Sequence, residues 1–204
     1  MRVAVDSRGQ RPAEGLIVSN HLSFLDIAVY AAVMPCVFVA KREVRNWPAF
    51  GFFARCGGTV FIDRSSRNSA EETARQIMNV LRTGVPVLLF PEGTSTDGSV
   101  VLRFHPSLLE PAIQLGAPIT PAAIGYQVPG AAERDLCYYG DIHFVPSLLE
   151  TLGRREINTR VEFYPQRDVY AERKAAAAEL REKVIALRHK MTGGSAANSQ
   201  RADS

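Results

Sequence analysis

Short apolar runs alternate with amphipathic stretches along almost the whole chain, and that alternation constrains the fold more than any single residue. The run 15–19 (GLIVS) stops at Asn20-His21 and reads as a buried strand. Residues 36–40, 59–62, 85–90 and 119–124 read the same way, the run 85–90 apolar enough to be buried on both faces, and 160–164 reads as a last strand by alternation. Between them lie helical patterns. Residues 23–33 start at Ser23 with Asp26 three positions on, the spacing of a capping box, and stop at Pro35. In 69–82, Ala70, Ala74, Ile77, Met78 and Leu81 make one apolar face, with Gly84 placed as a C-terminal cap. Residues 106–115 form another helix, and 170–191 a long one with Leu180, Val184, Leu187 and Met191 on one stripe. Strands alternating with helices predict an α/β domain with a mainly parallel central sheet flanked by helices. At 204 residues the chain suits one such core. The domain is expected over 1–192; the Ser-, Ala- and Asn-rich residues 193–204 are expected to be a disordered tail.

Composition narrows the function. A net charge of +3 with mixed signs is too mild for a nucleic-acid binder, but it suits an anionic substrate or lipid surface. The 3 cysteines are scattered and form no CxxC pair, so neither a disulfide framework nor a zinc knuckle is indicated. The first fifteen residues lack the apolar core of a signal peptide. The longest apolar run, 27–40, contains Pro35 and is shorter than the ~18–20 residues of a membrane span.

In open α/β sheets, functional residues gather beyond the carboxyl ends of strands. Four expected strand ends are polar here: Asn20-His21, Lys41, Asp63-Arg64 and Pro91-Glu92-Gly93-Thr94. On one straight helix His21 and Asp26 would lie roughly 140° apart, too far round to meet. With His21 just before the helix, an Asp26 in its first turn can reach back to the ring, fix its tautomer and leave the other nitrogen as a general base. The alternative is that Asp26 only caps the helix. Arg64 offers a planar fork to phosphate or carboxylate, or an ion pair to Asp63. Gly93 lets backbone N–H groups approach a ligand, or simply turns the chain.

In order, Asn20-His21-Leu-Ser-Phe-Leu-Asp26, Gly57-Gly-Thr-Val-Phe-Ile-Asp-Arg64, Phe90-Pro-Glu-Gly-Thr94 and Ala117-Pro-Ile-Thr-Pro-Ala122 resemble the four blocks of the glycerolipid acyltransferases. These are the 1-acylglycerol-3-phosphate and related lysophospholipid acyltransferases. The resemblance covers about residues 16–126 closely. It implies a glycerol-3-phosphate acyltransferase-like fold and transfer of a fatty acyl chain from acyl-CoA or acyl-carrier protein to a lysolipid hydroxyl. His21 would be the general base and Asp26 its orienter. Lys41 and Arg64 would hold the acceptor's phosphate. Glu92, Gly93 and Thr94 would shape the acceptor pocket, and Pro121 would lie on the acyl-donor side. Neither cofactor nor metal is needed. The implied product is phosphatidic acid, and the implied location is cytoplasmic, peripheral on the inner face of the membrane.

Two departures remove positive charge near the acceptor site and leave room for lyso-ornithine lipid or another lysolipid. Ser95 stands where an Arg commonly follows the Pro-Glu-Gly-Thr turn, and Phe104-His-Pro-Ser107 replaces a Phe-Lys-x-Gly stretch. No hydrophobic helix is expected in the residues before the first block, where the family often carries such helices. A non-catalytic lipid- or carrier-binding module is the competing class, though binding alone requires neither a base nor its orienter. His105 and His143 lack zinc spacing, and Ser95 and Ser99 lack a nucleophile elbow. The basic C-terminal helix reads as a membrane-lying helix or, more simply, as a solvated face over a core stripe. Tyr138-Tyr-Gly-Asp141 reads equally as part of a site or as a turn with core aromatics. Trp47, Phe50, Phe52 and Phe53, flanked by Arg42, Arg45 and Arg55, suit either a membrane interface or the core.

Overall fold

The computed structural model describes residues 1–41, 59–62 and 67–199. In chain order the elements are β1 (Arg2–Arg8), β2 (Leu16–Ser19), α1 (Leu25–Val33), β3 (Val37–Lys41) and β4 (Val60–Ile62). Then come α2 (Arg67–Arg82), β5 (Val87–Leu89), α3 (Glu110–Gln114), β6 (Ile119–Gln127), α4 (Phe144–Gly153), β7 (Glu156–Phe163) and α5 (Arg173–Ser199). Short 3-10 turns occupy Pro106–Leu108 and Glu133–Leu136.

The strands form one sheet in the order β1-β7-β6-β2-β5-β3-β4. From β6 to β4 every pairing is parallel; β7 runs antiparallel to β6, and β1 pairs in parallel with β7. The expected α/β fold with a mainly parallel sheet is therefore the fold observed. Strand alternation divides the core into two layers. Leu16, Val18, Val87, Leu89, Ile119 and Ala123 face α2 and α5, while Ile17, Leu88, Ala122 and Ile124 face α1. Leu180, Val184, Leu187 and Met191 are all buried, so the stripe on α5 is core packing. Four of its basic residues have partners: Arg181 donates to the Val101 and Leu102 carbonyls, and Lys183, Arg188 and Lys190 pair with Asp168, Glu133 and Glu162.

Three sequence expectations change. The first helix begins at Leu25 rather than at Ser23; Phe24, the residue before it, is already helical, and the Ser23 Oγ accepts the Leu25 N–H at 3.4 Å. The reciprocal bond of the expected capping box is present, because Asp26 turns its carboxylate back onto the loop N–H groups of Ser23 and Leu22. The stretch 106–115 divides into a 3-10 turn and the five-residue α3, since Pro111 lacks a donor for a continuous helix. Two elements are additional. β1 alternates weakly and is half exposed, so only its pairing with β7 makes it a strand. α4 packs Phe144 and Leu148 inward and leaves Val145, Leu149 and Leu152 outward. Gly84 does cap α2, with φ +77° and its N–H on the Leu81 carbonyl at 3.1 Å.

Candidate active site

Because β2, β5, β3 and β4 are neighbours and parallel, their carboxyl ends share one sheet edge. The edge collects His21 after β2, Pro91-Glu92-Gly93 after β5 and the backbone of Lys41 at the end of β3. Arg64 falls outside the described residues, as do Trp47, Phe50, Phe52 and Phe53; the side chain of Lys41 is likewise outside the description.

His21 leaves β2 just before the helix, and its Nδ1 lies 2.7 Å from Asp26 Oδ2. The same oxygen accepts the N–H groups of Leu22 at 2.7 Å and Ser23 at 3.1 Å, so Asp26 satisfies the loop and holds the ring together. The two sequence readings of Asp26 are thus one arrangement. Asp26 is fully buried, whereas the His21 side chain keeps 22% of its exposure. With the carboxylate accepting, Nδ1 carries the proton and Nε2 presents a lone pair. Nε2 has no hydrogen-bond partner among the described residues. The ring lies flat on Phe90, with centroids 4.1 Å apart and planes 11° apart.

Glu92 braces this loop from the next strand. Its Oε1 accepts the His21 N–H at 2.9 Å and its Oε2 the Leu102 N–H at 2.6 Å. The Thr96 N–H in turn reaches the His21 carbonyl at 3.0 Å. Gly93 makes the turn at φ +73°, a conformation that suits glycine. Burial pushes the Glu92 carboxyl above the usual carboxylate range, against the two N–H donors that lower it. Glu92→Gln keeps the size but leaves one oxygen to serve two N–H groups. The variant is expected to lose about 1–3 kcal/mol of stability in denaturant unfolding. The sign of the pH dependence follows from the raised folded value. The native state holds the proton longer, so this group's stabilisation is present at acid pH and is lost as pH rises through that value. The stability gap between wild type and Glu92→Gln should therefore narrow from about pH 4 towards neutrality, and a gap that widens would contradict the assignment.

The remaining expected residues lie around this core. Thr94 is exposed beside Gly93. Pro121 is buried in β6 opposite Val18, inside the sheet, with its carbonyl accepting the Tyr164 N–H. The Ser95 hydroxyl donates to the Tyr138 carbonyl, an anchor for the loop. Tyr138 sits edge-on to Phe24 and Phe144, so its segment is aromatic packing. His105 and His143 are exposed and far apart in sequence, and among the described residues no cluster is arranged to hold a metal.

Sequence reasoning assigns no role to two residues of the site. Asn20 is buried, and its amide closes a pair of bonds on Ile124, Nδ2 to the carbonyl at 3.0 Å and Oδ1 from the N–H at 2.9 Å. It continues the β2–β6 ladder beyond the strand and fixes where His21 emerges. Tyr126, one hundred positions from Asp26, donates its hydroxyl to Asp26 Oδ1 at 2.5 Å. The signal available for it was strand alternation, which places 122, 124 and 126 on one face.

A model of the acyltransferase family matches residues 2–125, a span that contains His21, Asp26, Glu92 and the strands presenting them. The chain belongs to the acyltransferase family. A lyso-ornithine lipid O-acyltransferase of Brucella abortus is 38% identical over 188 residues, covering 84% of this chain and 70% of that protein. A 1-acyl-sn-glycerol-3-phosphate acyltransferase of Neisseria meningitidis is 32% identical over 154 residues, covering 76% of this chain. This acyltransferase chain spans 60% of the length of the Neisseria relative, and 55% of a lyso-ornithine lipid O-acyltransferase of Pseudomonas aeruginosa that is 37% identical to it. Its fold also matches the crystal structure of a 1-acyl-sn-glycerophosphate acyltransferase from Thermotoga maritima. There the TM-score is 0.63 at 22% identity, over 93% of this chain and 72% of that one. The likeness is one of fold.

Proposed function

We propose that this chain transfers a fatty acyl group from an acyl-CoA or acyl-carrier-protein thioester to the free hydroxyl of a lysolipid. The observation that carries the reading is His21, oriented through Nδ1 by a buried carboxylate, with its side chain partly exposed. A hydroxyl is a poor nucleophile until a base takes its proton. In this reading His21 Nε2 accepts the proton as the acceptor oxygen attacks the thioester carbonyl. The tetrahedral adduct then collapses, the C–S bond breaks, and the imidazolium returns its proton to the departing thiolate. Glu92 and Gly93 hold the loop, and in this reading Lys41 and Arg64 would supply positive charge for an anionic head group.

The acceptor proposed first is 1-acylglycerol-3-phosphate, giving phosphatidic acid. Lyso-ornithine lipid is the second reading, favoured by the similarity to the Brucella and Pseudomonas proteins and by Ser95, whose hydroxyl anchors the loop on Tyr138 and brings no charge. Incubating the purified protein with acyl-CoA, or acyl-carrier protein, and a panel of lysolipids tests this directly. A product mass raised by one acyl chain identifies the acceptor, and no product with either donor and any lysolipid refutes the reading.

A lipid acceptor brings the protein to a bilayer surface, and α4 supports a peripheral contact. Val145, Leu149 and Leu152 are 57%, 64% and 50% exposed at the spacing of one helical stripe, and Ile142 extends it. Among the described residues no helix is long and apolar enough to cross a membrane. Co-sedimentation with vesicles containing anionic lipid is expected to fall at least several-fold in a Val145→Glu/Leu149→Glu variant with unchanged circular dichroism. Unchanged co-sedimentation would remove α4 from the contact.

A further inference from the structure

We infer that Tyr126 is a positioning residue for acyl transfer, its hydroxyl holding the Asp26 carboxylate in the orientation that keeps Oδ2 on His21 Nδ1. The inference rests on the reading of His21 as the base.

The two oxygens of Asp26 are unequally served. Oδ2 meets three donors, His21 Nδ1 and the N–H groups of Leu22 and Ser23. Oδ1 meets one among the described residues, the Tyr126 hydroxyl. Asp26 has no exposure, so water does not replace that donor from the surface. Without the hydroxyl, Oδ1 is a buried carboxylate oxygen without a partner, a costly state. The carboxylate then gains by rotating Oδ1 towards the donors clustered at Oδ2, and the His21 bond is the one with a mobile side chain on its other end. Tyr126 would thus act on the base through Asp26, without touching substrate.

The donor is itself rigidly held. Tyr126 is 4% exposed, and burial first and the Asp26 charge second push its phenol pKa well up, which keeps the hydroxyl protonated as a donor. Its backbone pairs with Thr159 of β7, and its N–H donates to Glu133 Oε1 at 2.7 Å. Glu133 is gripped in turn by Arg188 from α5, which also holds the Ile124 carbonyl. Gly125 leaves the opposite face open for that guanidinium, since a Cβ there would lie 2.7 Å from Arg188 Nη1. A run of bonds therefore joins α5, β6, Asp26 and His21.

Tyr126→Phe deletes only the hydroxyl and keeps the ring. With the full chain, acyl-CoA and the lysolipid that wild type acylates, kcat is expected to fall about tenfold while both Michaelis constants stay within about twofold. In ¹⁵N spectra of the neutral His21 ring, the share of the Nε2–H tautomer should rise. In the double variant Asp26→Asn/Tyr126→Phe, kcat should equal that of Asp26→Asn alone, because Tyr126 acts only through that carboxylate. Unchanged kcat and ring shifts in Tyr126→Phe, with only a lower melting temperature, would overturn the inference and leave Tyr126 a packing residue. An additive loss in the double variant would overturn it as well. Wild-type turnover in His21→Ala would instead overturn the base reading itself, a result separable from both.

Discussion

Replacing His21 by alanine is expected to lower acyl-transfer turnover by about 10²–10⁴-fold, the range for losing a general base, with little change in folding. The separation of effects comes from how His21 is held. Its backbone N–H on Glu92 and its carbonyl on Thr96 survive the substitution, so the loop keeps its braces. What is lost is the ring, with Nε2 and the stacking on Phe90. Acyl-donor binding, followed by calorimetry, should change less than twofold. Asp26→Asn is a less clean probe. Its amide would turn a donor towards N–H groups or the Tyr126 hydroxyl at a fully buried position, so activity and stability should fall together. Turnover at the wild-type rate in His21→Ala, measured by product mass, would end the proposed mechanism.

The largest stability effect outside the central hydrophobic layers is expected at Arg188. Its guanidinium forms a fork on Glu133, Nη2 to Oε2 at 2.6 Å and Nη1 to Oε1 at 3.0 Å, and donates to the carbonyls of Ile124 and Gly98. Its side chain is 9% exposed and that of Glu133 22%. Arg188→Ala leaves the largely buried Glu133 carboxylate with the Tyr126 N–H but without its cation, and takes one donor from the carbonyls of Gly98 and Ile124, the latter keeping Asn20 Nδ2. Breaking one side of a buried pair costs ~3–5 kcal/mol, and the residual exposure of Glu133 places this case near about 3 kcal/mol. For a domain of this size the melting temperature should drop by roughly 6–12 °C. Arg188→Lys should recover only part of it, because an ammonium does not reproduce the fork. Gly98 carries the same constraint from the other side: φ is +85°, and a Cβ would lie 2.9 Å from Glu133 Oε2 and 3.2 Å from Arg188 Nη2. A change in melting temperature below about 2 °C in Arg188→Ala would show that the clamp contributes no net stability.

Local physics made much of this protein legible in one dimension. Apolar runs such as Leu16-Ile-Val18 and Val87-Leu-Leu89 are buried on both faces because parallel central strands are covered by helices on either side. The periodicity of Leu180, Val184 and Leu187 located the packed stripe of α5, and a glycine at 84 marked the end of α2. The spacing of His21 and Asp26 was equally informative, because a carboxylate in the first turn of a helix reaches the residues just before it without help from distant chain. The edge strand β1 was hidden for the opposite reason. Its own sequence barely alternates, and its pairing is supplied by β7, more than one hundred and fifty residues away.

The sequence alone therefore determined the class of the fold and the polar strand ends, and offered the His21–Asp26 pair as one of two readings, all of which depend on contacts within a few residues or on repeating patterns. The tertiary structure decided the neighbours of that pair. Strand order placed Glu92 beside His21, Asn20 on Ile124 and the Tyr126 hydroxyl on Asp26 Oδ1. Each of these bonds joins strands or loops 71 to 104 positions apart, a separation over which no local periodicity carries information and only the packing of the sheet sets the partner.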